Sequence, residues 1–395
     1  MKKIGIVFSG GGSKAFAFHI GVIKALEDEN FSFRHGTVDS SHSEIKINDR
    51  EISLFVGSSS GSAIVAFLVS GHSSADMLDA LMMGKNFPKM SRKHIIPFKY
   101  RIMNRIFKFS KECFRGNFNL DNLNPFPFLD GHAIEKYFRK HILLENEFNK
   151  YKADIFIPAT QLNSSRKVIF SKINSAISET DKYCEDVAYY NDVPVSKAIA
   201  ASCSFPFFFR PFGIRKKDKY FHYYDGVLKD TSSVHIPRDF GCDLAILSSG
   251  FCHYKYDRNY GDLADKNVLT HVTQAMTHLM EQKTADFLSR SEKNKDIFSI
   301  IEEVADKNHP EYELLLRNIK TSLKVSDIDY LSISPKTDDY DFLFGQVASD
   351  NPDILREYFH LGYERGRESI KEFFSSKKKD RIVGKTQVIQ GKRSS

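Results

Sequence analysis

Serine, glycine and aspartate carry the chemistry open to this chain. Within residues 51–71, EISLFVGSSSGSAIVAFLVSG, the run Gly57-Ser58-Ser59-Ser60-Gly61 puts a glycine two residues away from Ser59 on each side. G-x-S-x-G is the spacing of a nucleophile elbow, in which a serine hydroxyl stands proud of a sheet on a sharp strand-to-helix turn. The flanking glycines let the backbone fold sharply without a Cβ clash. Ser58 and Ser60 compete for the role, but neither has that pair of glycines. The same spacing also occurs in turns that only pack a helix on a sheet, so the surrounding elements decide.

Such a serine needs a donor set for developing negative charge and a base for its proton. Ser9-Gly10-Gly11-Gly12-Ser13-Lys14 lies between an apolar run and an amphipathic one, and glycines there leave backbone N–H groups at a helix N-terminus, an anion site. A P-loop would end in Gly-Lys-Ser/Thr, which Gly12-Ser13-Lys14 does not supply. A dinucleotide fingerprint is formally present as Gly10-x-Gly12-x-x-Ala15, but residues 31–49 are polar and Ser/His-rich instead of forming a strand that ends in an acid. An oxyanion hole for acyl transfer and a purely structural turn remain beside it. For the base, His253, His271, His278, His309 and His360 have the late position that an ordinary Ser-His-Asp hydrolase requires. Asp225 is different in kind: it ends an apolar stretch, Gly226 follows it, and Phe221, Tyr223 and Tyr224 surround it. Apolar surroundings raise a carboxyl pKa and make it a better base, although Asp-Gly also commonly just caps a turn.

The elements that must hold these groups are legible from periodicity. Residues 3–8 read as a strand, followed by a helix with Phe16, Ile20, Ile23 and Leu26 on one face. Ile52, Leu54, Phe55 and Val56 read as a buried strand, and residues 63–69 as a buried helix whose N-terminal dipole favours negative charge near the serine. Residues 31–50 read as a surface insertion with a hairpin at 44–47, and 73–83 as a helix with Ser74 as N-cap. Strands are expected at 151–159, 167–170, 220–224, 244–249 and 330–334, and helices at 130–144, 195–201, 268–288, 311–320 and 353–374. Pro206 and Pro211 mark the aromatic run between them as loop or sheet edge.

Bulk composition narrows the class. A hydrophobic share of 41% and a charged share of 27% in 395 residues describe a globular chain with no apolar run long enough to cross a bilayer. Its first residues read as a buried strand, too short for a signal peptide. The five scattered cysteines form neither a disulfide framework nor a zinc spacing, so a reduced, cytoplasmic compartment is expected. Six of the seven net positive charges fall in residues 377–395, which leaves the body near neutral and gives no nucleic-acid face. Residues 85–115 hold ten Lys/Arg and one acid, Glu112, with Phe98, Tyr100, Phe107 and Phe109 among them. This is either a basic amphipathic membrane-surface segment or a cap helix with a solvated basic face.

Four stretches, IVFSGGGSKAFAFHIGVIKALE, FVGSSSGSAIVA, VSKAIAASCSFPFFFRPF and YYDGVLKD, occur in this order and, with the strand at 154–160, span most of residues 1–250. Together they resemble the patatin-like phospholipases. The resemblance implies an α/β protein, a three-layer α/β/α sandwich around a mostly parallel central sheet, with a Ser–Asp dyad, no catalytic histidine, no metal and no cofactor. Carried over residue by residue, it makes Ser59 the nucleophile, Asp225 the base, and Gly10, Gly11 and Gly12 the lining of the oxyanion hole, with Gly57, Gly61, Gly226 and Lys14 in support. Lys14 and Ala15 stand where the family has arginine then glycine, and lysine keeps the charge but loses the planar fork. Ser58 and Ser60 replace the usual threonine and alanine of the elbow, and Val227 follows Asp-Gly in place of the more frequent glycine or alanine.

The expected protein is a serine lipid acyl hydrolase of phospholipase A or lysophospholipase type. The alternatives are an acyltransferase using the same dyad and a non-catalytic lipid-binding protein. One acyl hydrolase domain is expected over residues 1–375, with its core at about 1–250, a helical cap insertion at about 73–130 and a helical return at 265–375. A basic disordered tail at 376–395 would follow. Its partners would be a membrane phospholipid or other acyl lipid and a peripheral membrane surface, with the oligomeric state left open.

Overall fold

The computed structural model describes residues 3–39, 48–90, 129–164, 166–173, 187–206, 208–216, 218–229, 233–266, 268–345 and 347–391. The expected hairpin at 44–47 and the basic aromatic segment beyond residue 90 lie outside the described residues. The first half of the chain runs β1 (Ile4–Phe8), α1 (Gly12–Asp28), β2 (Ser32–Phe33), β3 (Glu51–Gly57), α2 (Ser60–Val69), α3 (Ser74–Leu78), α4 (His132–His141), β4 (Asp154–Gln161), β5 (Lys167–Phe170) and β6 (Val187–Tyr190). There follow α5 (Val195–Ser202), β7 (Phe212–Lys216), β8 (Lys219–Asp225), α6 (His235–Asp239), β9 (Leu244–Ser248), α7 (Val268–Val304), α8 (Tyr312–Ser322), β10 (Asp329–Ile333), α9 (Tyr340–Leu343) and α10 (Pro352–Gly391).

The sheet order is β10-β9-β1-β3-β4-β5-β6, and the pairs from β10 through to β4 are all parallel. β1 is buried at every position, as a parallel strand covered on both faces must be. Its alternate side chains feed two cores. Ile4, Ile6 and Phe8 join α1, α2, α4, α5 and α10 on one face, while Val7 joins Ile236 of α6 and, at the edge, Phe287 and Leu288 of α7 on the other. This is a three-layer α/β/α arrangement with a helical C-terminal part. A bulge at Ser53 breaks strict alternation in β3: Ile4 pairs with Ile52 but Gly5 with Leu54, so Ile52 and Phe55 reach one core and Leu54 and Val56 the other.

β4 outruns β3 and carries partners on both edges at Ala159, Val168 of β5 on one side and Asp225 of β8 on the other. β8 thus occupies the edge of β4 beyond the end of β3, and its last residue comes down onto the turn that leaves β3. At the C-terminal end of the chain, α10 lies along α1 at backbone contact. A Cβ on Gly362 would meet the Phe18 carbonyl oxygen at 2.0 Å, and one on Gly21 the Phe359 carbonyl oxygen at 2.1 Å.

Several expectations shift. Ser73, not Ser74, caps α3: its N–H donates to Asp76 Oδ2 and its hydroxyl accepts from Asp76 N–H, a reciprocal box that Ser74 has no acid in place to form. Ser74 instead donates its hydroxyl proton to Glu27 Oε2 at 2.7 Å. β6 and β7 are short and half-exposed, so their apolar signal is weak. α7 runs on to Val304, and α10 to Gly391, through most of the segment expected as a disordered tail.

Candidate active site

Among the three serines of the elbow, accessibility separates one. Ser58 and Ser60 are buried, with hydroxyls that have no hydrogen-bond partner among the described residues, whereas Ser59 is partly exposed. Ser59 sits at φ 53°, ψ −123°, a left-handed conformation that a non-glycine residue holds only under constraint. The constraints are on both sides of it. Its N–H donates to Ser202 Oγ at 2.9 Å, and its carbonyl accepts from Ser62 Oγ at 2.6 Å and Cys203 Sγ at 3.3 Å. Gly57 and Gly61 allow the tight turn, since a Cβ on Gly61 would lie 2.3 Å from the Phe8 carbonyl oxygen.

Asp225 arrives from the opposite direction at the end of β8. It is fully buried; its N–H donates to the Ser204 carbonyl at 3.1 Å, and its own carbonyl accepts from Thr160 Oγ1 at 3.0 Å. Oδ1 accepts from Val227 N–H at 3.0 Å, while Oδ2 is buried with no hydrogen-bond partner among the described residues. Burial pushes the carboxyl up to about 7, opposed by the Ser59 side chain and the Val227 N–H. Catalytic hydrogen bonds in a ligand-free site are often long and tighten only around substrate. Gly226 lies against the Pro158 carbonyl, where a Cβ would come within 2.4 Å. The Cys203 thiol beside this pair is pushed up to about 12 by burial and then by the Asp225 charge, so it stays protonated.

The glycine loop closes over the serine. A Cβ on Gly10 would come within 3.0 Å of Ser59 Cβ and 2.7 Å of Val227 Cγ2, so the loop backbone packs closely on Ser59 and on Val227, two residues beyond Asp225. Among the described residues, the N–H groups of Gly10, Gly11 and Gly12 have no protein acceptor. The rest of the loop is held rigidly. Ser9 Oγ donates to the Gly10 carbonyl at 3.0 Å and accepts from Gly250 N–H at 2.9 Å. His19 Nε2 donates to the Ser9 carbonyl at 3.0 Å, so Nδ1 accepts from Ser248 Oγ at 2.7 Å; burial takes the ring down to about 4 and keeps it neutral.

Lys14 does not present its charge to this loop. Its ammonium is buried, donates to the carbonyls of Phe342 at 2.9 Å and Leu343 at 3.5 Å at the end of α9, and lies 4.7 Å above the Phe342 ring. Burial lowers it to about 8. At the first turn of α1, Lys14 N–H and Ser13 Oγ both donate to the Val347 carbonyl and Ser13 Oγ also to Ser349. The Val347 carbonyl stands so close over this turn that a Cβ on Gly12 would meet it at 2.4 Å, which counts against a pyrophosphate there and so against the dinucleotide reading of Gly10-x-Gly12-x-x-Ala15. The late histidines also stand apart. The ring of His253 is paired with Glu281 at 2.7 Å and that of His271 with the Leu263 carbonyl.

Sequence reasoning missed Ser202, Ser204, Ser9, Ser248 and His19. The signals available were the serine pair in Ser202-Cys203-Ser204 and a lone histidine inside the apolar run AFAFHIGVI. Among the described residues, no helix is long and apolar enough to cross a membrane. The model of one family, described as patatin-like phospholipase, matches residues 6–237, a span holding the elbow, the glycine loop and Asp225. No curated protein matches the chain.

Proposed function

Because the chain belongs to the patatin-like phospholipase family, whose members are lipid acyl hydrolases, we propose that it cleaves fatty-acyl esters of glycerophospholipids or lysophospholipids through an acyl-enzyme on Ser59, with Asp225 as base. The observation that carries this reading is the convergence at Ser59: a strained, accessible serine meets a fully buried carboxyl under a loop whose three glycine N–H groups, like one carboxyl oxygen, have no partner among the described residues. Ser59 Oγ attacks the ester carbonyl as its proton passes to Asp225, the N–H groups of Gly10, Gly11 and Gly12 receive the oxyanion, and the proton then leaves with the alcohol. Water follows the same path in reverse, with Asp225 taking its proton, and the fatty acid is released. Gly57, Gly61 and Gly226 support the turns, and Lys14 braces α9 against the start of α1.

Mixed phospholipid vesicles incubated with the protein and followed by lipid mass spectrometry test the reading. Wild type should release free fatty acid and lysolipid, and Ser59→Ala should release none. A fluorophosphonate probe should label Ser59 and continue to label Ser58→Ala. Labelling that persisted in Ser59→Ala would overturn the assignment. Acyl groups appearing on an added alcohol in preference to water would mark an acyltransferase.

A further inference from the structure

One face of α7 is turned onto the loop that follows β9. Gln274 brackets the backbone of Tyr254, accepting its N–H and donating to its carbonyl, both at 3.1 Å. One and two turns further along, His278 and Glu281 face His253. His253 donates its backbone N–H to Glu281 Oε1 at 3.2 Å and Nδ1–H to Oε2 at 2.7 Å, and the rings of His253 and His278 lie 5.4 Å apart at 30°. Each of the three residues offers a donor atom, and the three atoms lie within 4.8 Å of one another in a half-open setting. A divalent ion takes both rings neutral and the carboxylate charged, and imidazole selects zinc-class ions over magnesium or calcium.

We propose that His253, His278 and Glu281 form a three-ligand site for a zinc-class divalent cation, with its remaining position open to water. The Nδ1···Oε2 separation of 2.7 Å is shorter than the roughly 3.3 Å between ligands at zinc bond lengths of about 2.0–2.1 Å, so binding opens that contact slightly. The His253 Nδ1 proton passes through solvent to Nε2 of the same ring, and the freed Nδ1 lone pair, a ring nitrogen of His278 and a Glu281 oxygen bind the ion. The hydrogen bond that His278 Nε2 makes with the Gln274 amide at 3.1 Å is given up if that nitrogen is the ligand. The ion would pin α7 to the loop that carries Gly250, which holds Ser9, and Phe251, whose ring packs beside Gly11. It lies outside the Ser59–Asp225 chemistry and outside the span of the family match.

The test uses the full chain, stripped with a chelator and titrated with Zn2+ by calorimetry, with thermal unfolding alongside. Wild type should take up one equivalent and unfold at a higher temperature. His278→Ala and Glu281→Gln should each weaken binding by more than the roughly 10–100-fold that loss of a mere outer-shell partner costs. His271→Ala, on the same helix but bound to the Leu263 carbonyl, should bind as wild type does. Fluorophosphonate labelling or circular dichroism checks that each variant is folded, so an inactive enzyme can still pass. The absence of a saturable equivalent, wild-type affinity in both ligand variants, or equal binding of Mg2+ would overturn the site.

Discussion

Asp225 is a carboxyl kept from water, and that fixes how the protein should answer to pH. Its folded pKa of about 7 lies well above the value of 3.8 for an exposed aspartate, so between these values the folded state holds a proton that the unfolded state has released. Stability from this group therefore falls as pH rises from about 4 to 7 and is level beyond. Asp225→Asn escapes that cost and keeps the oxygen that accepts from Val227 N–H. It should match wild type near pH 4 and exceed it at pH 8 by an amount on the order of 1–4 kcal/mol, from about 1.4 kcal/mol per pKa unit; urea melts at both pH values read the difference. Turnover runs the other way: wild-type kcat/KM should rise with pH through about 7, and Asp225→Asn should have none to follow. The two residues of this pair were legible because each leaves a local signature, glycines around the serine and Asp-Gly at a strand end. Ser202 and His19 were not, because what they do is set by partners 143 and 229 residues away in the chain.

At the scale of elements, the join between α1 and the C-terminal segment carries more than its sequence suggests. Lys14 satisfies two carbonyls at the end of α9, in a place too buried for water to replace it. Lys14→Met keeps the stem and removes the donor; the Phe342 carbonyl keeps only the Gly345 N–H at 3.2 Å and the Leu343 carbonyl loses the ammonium, at a cost of about 1–3 kcal/mol. Hydrogen exchange should quicken in residues 342–349 while the amides of β1 and β3 stay protected. Gly362 tests the neighbouring helix contact more severely. A valine there must push α10 off the Phe18 carbonyl, at about 3 kcal/mol or more, and thermal unfolding should report it. The helices themselves were readable from their apolar spacing, but their closeness was not. A glycine within a helix shows only that nothing stands at that point; what approaches there is decided by the fold.

At the scale of the whole molecule, the matched span should not fold by itself. Residues 6–237 stop before β9, which flanks β1, and before α10, which covers α1. A fragment ending at 237 would expose that edge and that helix face, and it should show no cooperative unfolding transition. Removal of 377–395 is a different operation. Ile370 of α10 is buried in the core and Phe373 packs against it, both ahead of the cut, so the fold and Ser59 labelling should survive the deletion. What the deletion takes away is charge, seven Lys/Arg against one Asp. Near an anionic bilayer each such charge is worth on the order of 1 kcal/mol. That attraction fades over a Debye length of about 10 Å at 0.1 M salt, so its loss should matter most in dilute buffer. Vesicles rich in anionic lipid, sedimented with the full chain and with the chain ending at 376, should show weaker binding of the shorter form at low salt and near-equal binding at high salt. Turnover on a short soluble ester should be the same for both, because that substrate reaches Ser59 without a surface. A deletion that lowered soluble-ester turnover as well would mean that the last helical turns support the catalytic domain, and the tail would lose its role as a membrane tether.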